Sequence, residues 1–187
     1  MTLIEKYVKF TKKWEGGLSR DKSDSASSYP CPTPFNGKTG WHTNAGITYK
    51  NLDRVLRSRN DHRFYTMNAS DWFSIFKKGY WDGVHGDSFT SQNIAIFVTG
   101  MAWGSGTRQA GKSLQVAINH CGLLCSIDGV IGNKTINCAN SIEPQKLFDE
   151  LINERKRFFY AISTGKNAKF LNGWLNRLKD YQFTFRP

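Results

Sequence analysis

Residues 91–103 constrain the fold more than any other stretch of the chain. After Ser91-Gln92-Asn93 the run is almost continuously apolar, with Ile94, Ala95, Ile96, Phe97, Val98, Met101, Ala102 and Trp103, and it stops at Gly104-Ser105-Gly106. It is long enough for a helix and shorter than the roughly 20 residues that span a bilayer. A helix that is apolar all round must be covered all round. The remaining sequence therefore has to supply helices with one apolar face, and it does. Residues 2–14 place Leu3, Ile4, Tyr7, Val8, Phe10, Thr11 and Trp14 at helical spacing, with Lys6, Lys9, Lys12 and Lys13 on the outer face. Residues 69–81 follow a capping Ser70 and carry Trp72, Phe73, Ile75, Phe76, Tyr80 and Trp81. Residues 107–121 present Ala110, Leu114, Val116, Ala117 and Ile118, and residues 144–163 present Leu147, Leu151, Ile152, Phe158, Phe159 and Ile162. Shorter helices are expected at 50–59, 133–141 and 170–178. No stretch alternates with the period of a strand, and no segment repeats. The expected class is mainly α, a helical bundle around a central apolar helix.

The exception to this helical grammar lies near the N-terminus. Trp14-Glu15-Gly16-Gly17 ends the first helix, because glycine takes the left-handed capping conformation. Residues 19–44 are then rich in Ser, Asp, Pro and Gly, with Pro30, Pro32 and Pro34 in the middle. A loop of that length inside a compact domain is expected to be functional or mobile. Residues 46–49 suit a short strand or the lead into the next helix. A second turn, Ser126 to Gly132, carries Gly129 and Gly132.

Composition narrows the partners. With 187 residues the chain suits one compact domain, or one with a small added lobe. The formal net charge is +11, spread along the chain without a basic tail. Such a field favours a polyanion, whether nucleic acid, anionic lipid or bacterial cell-wall polymer. No basic cluster marks a nucleic-acid face. No apolar run is long enough for stable membrane insertion, and Glu5 and Lys6 fall where a signal peptide needs its apolar core, so synthesis in the cytoplasm is expected. Cys31, Cys121, Cys125 and Cys138 do not have zinc-site spacing. They suit free thiols, or a disulfide among the last three formed after export.

Few chemistries remain. There is no defensible Ser-His-Asp or Cys-His set and no His-Glu-x-x-His helix. Lys112-Ser113 lacks a glycine-rich phosphate loop, and the Asp128 turn lacks the other acids of a calcium loop. No metal or cofactor is expected. Of 15 acidic residues, three cluster at Glu15, Asp21 and Asp24. Glycosidic hydrolysis uses two carboxyl groups, one donating a proton to the leaving oxygen and one acting on water or the sugar. Trp14 and Leu18 would supply the apolar surroundings that keep such an acid protonated. On the residues alone, a solvated Glu at a helix end is the competing reading.

Taken together, Trp14-Glu15-Gly16-Gly17, Asp21, Asp24 and Thr43-Asn44-x-Gly46-Ile47-Thr48 resemble the N-terminal half of glycoside hydrolase family 108, the lysozyme-like N-acetylmuramidases. Tyr80-Trp81-Asp82, Gly86-Asp87 and Trp103-Gly104-Ser105-Gly106 continue the likeness. The second half resembles the predicted peptidoglycan-binding domain that accompanies the family. Its marks are Ala110-x-Lys112-Ser113-Leu114-Gln115, Asp128 to Thr135, Arg155-x-x-Phe158-x-Tyr160 and Phe170-Leu171-x-Gly173-Trp174-Leu175-x-Arg177. The resemblance implies an α+β lysozyme-like fold with a small loop and strand region at the site. It divides the chain into a catalytic domain at 1–103 and a peptidoglycan-binding region at 104–187, packed as one unit. The chain departs from the family where residues 25–42 replace a short link.

By that resemblance Glu15 is the catalytic acid, Asp24 its partner and Thr43 a holder of the attacking water. Asp21, Thr48, Tyr80, Trp81, Asp82 and Trp103 are expected to contact substrate, with Asp82 an alternative second carboxylate. The expected partner is bacterial peptidoglycan, cut between N-acetylmuramic acid and N-acetylglucosamine by a monomer. Such a protein, typically a phage endolysin, acts at the cell wall after release through a membrane pore or a secretion system. The competing class is a cell-wall-binding or virion structural protein that retains the fold without catalysis.

Overall fold

The computed structural model describes residues 3–56 and 61–187. Its contacts divide the chain into two compact units, residues 1–79 and 80–187.

In the first unit, α1 (Leu3–Trp14) buries Tyr7, Phe10 and Thr11, the expected apolar face. Two short antiparallel strands follow, β1 (Thr43–Asn44) and β2 (Ile47–Thr48), with Thr43 opposite Thr48 and Asn44 opposite Ile47. Then come α2 (Tyr49–Leu56), α3 (Asp61–Tyr65) and α4 (Ala69–Phe76). The expected end of α2 over 57–59 lies outside the described residues. Sequence periodicity missed α3, which is too short to show a repeat. Asn68, rather than Ser70, caps α4: its side chain accepts from the Asp71 N–H while the Asp71 carboxylate accepts from the Asn68 N–H. The core of this unit is aromatic, with Tyr7 against Phe76 at 5.3 Å between ring centroids and Trp72 stacked on Phe76 at 5.4 Å. The helix expected over 69–81 is regular only to Phe76 and continues as a π-helical turn, Lys77–Trp81.

In the second unit, 3-10 turns at Asp82–Val84 and Gly86–Ser88 precede α5 (Gln92–Ser105). It is followed by α6 (Thr107–His120), α7 (Asn133–Ser141), α8 (Pro144–Ile162) and α9 (Leu171–Phe185). α5 is the central apolar helix: Ile94 to Thr99, Met101 and Ala102 are all buried. α6 and α8 pack on it, burying Leu114, Leu147, Phe148 and Leu151. Each large aliphatic side chain so buried contributes about 1.5–3 kcal/mol. α9 runs seven residues beyond the expected end because Tyr181 and Phe185 are buried, with Tyr181 edge-on to Phe97 at 4.9 Å.

One turn of this unit needs its glycines. A Cβ on Gly111 of α6 would overlap the Gly129 carbonyl, and Gly129 itself has φ +80°. Buried Gln115 fixes the same turn, donating to the Asp128 carboxylate (2.7 Å) and accepting from the Gly129 N–H (2.8 Å). Those bonds occupy Asp128 and hold its carboxyl below the usual range, the Val130 N–H first and Gln115 second. All four cysteines are free thiols, with Cys31 and Cys121 buried. Among the described residues no helix is long and apolar enough to cross a membrane.

Candidate active site

Glu15 is set by the end of α1, where its N–H donates to the Thr11 carbonyl at 3.0 Å. Its side chain is half-buried and lies against the β1–β2 turn. That turn has two central residues, Ala45 (φ +48°) and Gly46 (φ +76°), the positive pair that a tight hairpin of the I′ class requires. A Cβ at Gly46 would overlap the Glu15 carboxylate. Glycine is thus demanded twice at this position, by backbone conformation and by the acid lying over it. The turn is held from behind. The Trp72 indole N–H donates to the Ala45 carbonyl at 3.0 Å, and the Asn44 amide donates to the Phe64 carbonyl at 2.7 Å.

The segment after Glu15 is tied to the same hairpin. The Ser19 N–H donates to the Thr43 carbonyl (2.8 Å), and the His42 N–H donates to the Ser19 carbonyl (3.0 Å). His42 is completely buried and joins both chains: its Nε2 lies 3.0 Å from the Asp21 carbonyl and its Nδ1 lies 2.9 Å from Thr43 Oγ1. A carbonyl can only accept, so Nε2 carries the ring proton. In the neutral ring Nδ1 then accepts, and the Thr43 hydroxyl must donate to it. Thr43 is left with oxygen lone pairs, poised to accept a hydrogen bond from a water.

The remaining expected carboxylates are exposed and locally bonded. Asp21 Oδ1 accepts from the Ser23 N–H and hydroxyl, both at 2.8 Å. Asp24 Oδ1 accepts from the Ala26 N–H at 2.9 Å and caps the 3-10 turn Ser25–Ser28. Thr48 Oγ1 accepts from the Asn51 N–H at 3.2 Å, at the start of α2.

Residues 25–42 are fastened down. Tyr29 stacks on Tyr49 (6.0 Å) and donates to Asp53 (3.1 Å). Cys31 is buried and its N–H donates to the Trp41 carbonyl at 2.7 Å. Asn36 and Gly37, both at positive φ, turn the chain so that Phe35 and Lys38 pair. Phe35 stacks on Tyr65 at 4.6 Å, and the Tyr65 hydroxyl donates to the Thr33 carbonyl. One layer further out, Arg63 donates through Nε to Asp71 at 2.8 Å and holds that carboxyl below its usual range, against the opposing effect of burial.

Glu15, Asp21, Asp24, Thr43 and Thr48 thus share the first unit, and Tyr80, Trp81, Asp82 and Trp103 lie in the second. There Tyr80 and Trp103 are half-buried, their rings tilted at 51° with centroids 4.9 Å apart. Trp81, expected among the sugar contacts, is only 4 % exposed. Its Nε1–H donates to Asp87 at 2.9 Å and its ring covers Gly86, so it packs as core. Asp82 is exposed at the start of a 3-10 turn. Among the described residues no cluster of three or more His, Cys, Asp or Glu could hold a metal ion. Sequence reasoning missed His42. Its only signal was its place directly before Thr43, and a lone histidine has no periodicity to betray it.

Two family models match the chain. Residues 8–106 match glycosyl hydrolase 108, and residues 109–179 match the predicted peptidoglycan domain. The boundary between the two compact units falls inside the first of these segments. Among solved structures the chain is similar to Brucella abortus SagA, with a TM-score of 0.73 and 22 % identity over 97 % of this chain and 94 % of that one. At that identity the likeness concerns the fold. No curated protein matches the sequence.

Proposed function

The chain belongs to glycosyl hydrolase family 108, and from that premise we propose that it is an N-acetylmuramidase with Glu15 as its general acid. The two matched families make the protein a glycoside hydrolase acting on peptidoglycan. The finer reading rests on one observation, the half-buried Glu15 carboxylate laid over a hairpin turn that has no room for any side chain but glycine's.

In this scheme Glu15 protonates the oxygen that leaves N-acetylmuramic acid as the β-1,4 bond to N-acetylglucosamine breaks. The sugar passes through an oxocarbenium-like transition state. Asp24 keeps one oxygen on the Ala26 N–H and directs the other towards the sugar or its water. Thr43, oriented as a donor to His42, accepts from that water. Asp21 holds the loop that carries Asp24, and Thr48 braces the hairpin at α2. The tilted Tyr80–Trp103 pair is the aromatic surface we assign to a sugar face. The substrate places this activity at the cell wall, reached through a phage membrane pore or a secretion system.

Glu15→Gln keeps the shape and removes the proton. Release of muropeptides from purified peptidoglycan is expected to fall about 10²–10⁴-fold, with thermal stability unchanged. Products of the unmodified protein should carry reducing muramic acid ends by mass spectrometry. Anhydro ends, or full activity in Glu15→Gln, would overturn the assignment. Binding to peptidoglycan without release of any muropeptide would favour a non-catalytic wall-binding protein.

A further inference from the structure

Beside the candidate catalytic residues the first unit holds an open cavity of about 670 Å³, lined by Arg20, Lys22, Ser27, Thr39 and Gly40. That is within the usual range for small-ligand sites. The backbone explains its position. Ser19 pairs with Thr43, and the two chains leaving that pairing, 20–22 and 39–41, become the cavity walls. Residues 20 and 22 are one residue removed on either side of Asp21. Asp21 places Oδ1 on Ser23 and Asp24 places Oδ1 on Ala26, so each acid has a bond away from the cavity lining. Two cations therefore line the cavity with no acid among its walls, and no ion pair involves Arg20 or Lys22 among the described residues. The Arg20 guanidinium is held over the Trp41 ring at 5.5 Å, and Trp41 is itself anchored by donating to the Lys38 carbonyl. The Ser27 hydroxyl donates to the Lys22 carbonyl and fixes the backbone on that side. Thr39 and Gly40 complete the lining.

We propose that this cavity binds a free carboxylate of the peptide attached to the glycan strand, and so selects strands whose peptide carboxylates are free over strands in which they are amidated. The inference rests on the reading of the protein as a peptidoglycan hydrolase. The chemistry singles out the peptide. Once the lactyl carboxyl of N-acetylmuramic acid is joined to a peptide through an amide, the glycan itself is neutral, and the anionic groups are the peptide's carboxylates. An arginine and a lysine lining one cavity suit a carboxylate, which accepts charge-assisted hydrogen bonds from both. Three of the five lining residues come from positions 25–42, while both cations come from 20–22.

Two measurements test the proposal. The first is steady-state cleavage of strands whose peptide carboxylates are free and of the same strands with those carboxylates amidated. The protein should favour the free-carboxylate strands about 10-fold in kcat/KM, as expected for roughly 1.4 kcal/mol of added binding. Arg20→Gln with Lys22→Gln should erase that preference through KM, and Arg20→Lys should keep most of it. An unchanged preference in the double variant overturns the proposal. The second measurement is direct binding, read by calorimetry, and it stands even if neither strand is cut. The free tetrapeptide should bind, and its fully amidated form should bind at least about 10-fold more weakly. Equal binding of the two forms, or tighter binding of inorganic phosphate than of the tetrapeptide, overturns it. Failure to cut either strand, with peptide binding intact, would sink the hydrolase reading and leave the carboxylate site standing.

Discussion

Between Glu15 and Thr48 the chain is positioned by directional polar bonds, whereas between Gln92 and Phe185 it is positioned by buried apolar faces. In the first region the regular structure described is a two-by-two-residue hairpin and one 3-10 turn. Around the hairpin the work of shape falls to His42, Asn44, the Trp72 indole and the Ser19–Thr43 pairing, and the loop beyond it is pinned by Tyr29 on Tyr49 and Phe35 on Tyr65. In the second region α5 is buried on nearly every side, and α6, α8 and α9 take their places through Leu114, Leu147, Leu151 and Tyr181. A polar lattice can fix a carboxylate and a hydroxyl to within a fraction of an ångström while leaving them open to substrate. An apolar core is dense and strong but can present no such groups without desolvating them. The difference is a division of labour between positioning and holding.

The largest effect expected from breaking the contrast is in the core. Leu114→Ala removes a fully buried side chain of α6 and should cost about 2–5 kcal/mol. Hydrogen exchange followed by mass spectrometry should show α5, α6 and α8 exchanging faster by about 30-fold or more. Peptides covering 15–48 should keep their rates. Equal acceleration there would mean that the two regions open as one, and the contrast would be only geometric.

A smaller effect with sharper meaning is expected at His42, whose two bonds can be separated. An asparagine amide replaces the Nδ1 side of the ring and keeps the contact to Thr43. A glutamine amide replaces the Nε2 side and keeps the contact to the Asp21 carbonyl. His42→Gln should therefore lose turnover, on the order of 10-fold, with KM little changed. His42→Asn should retain more turnover while losing about 1 kcal/mol of stability, because the Asp21 carbonyl keeps only the Asp24 N–H as its donor. If both variants lose turnover and stability in the same proportion, His42 is a packing residue and does not orient Thr43.

These contrasts also explain what was legible in the sequence. The core helices could be located because apolar side chains at helical spacing leave a periodic trace, as at Ile94 to Ala102 and Leu147 to Ile152. The end of α9 escaped because Tyr181 and Phe185 stand among polar residues, and only packing against Phe97 makes them core. In the polar region Glu15 was visible as an acid before two glycines, while the partner that explains its setting is Gly46, thirty-one residues on. The loop 19–44 was expected to be functional or mobile on length alone. Its anchors are the pairs Tyr29–Tyr49 and Phe35–Tyr65, and no local pattern announces a long-range stack. Trp81 illustrates the opposite error: an aromatic beside Tyr80 suggests a sugar platform until Gly86 and Asp87 are seen to enclose it.

The smallest effect tests the polar lattice through pH. Asp71 both caps α4 and pairs with Arg63, and α3, which carries Arg63, also carries the Phe64 carbonyl that Asn44 grips. The hydrogen bond from Arg63 is the main reason that the Asp71 carboxyl titrates below its usual range. A carboxyl whose pKa is lower in the folded state than in the unfolded one contributes stability that is fully present above its unfolded value, about 3.9. That stability is lost as pH falls through the folded value. Because the Arg63 side chain is 40 % exposed, solvent screening keeps the contribution of the pair small. Urea unfolding at pH 7 should therefore show Asp71→Asn slightly less stable than the unmodified protein, and the two should converge as the pH is lowered through the range in which Asp71 titrates in the folded protein. A difference that stays constant across that range would assign the loss to the altered cap geometry instead of to the charge. Convergence would show that acid loosens α3 and α4 through the Arg63–Asp71 bond.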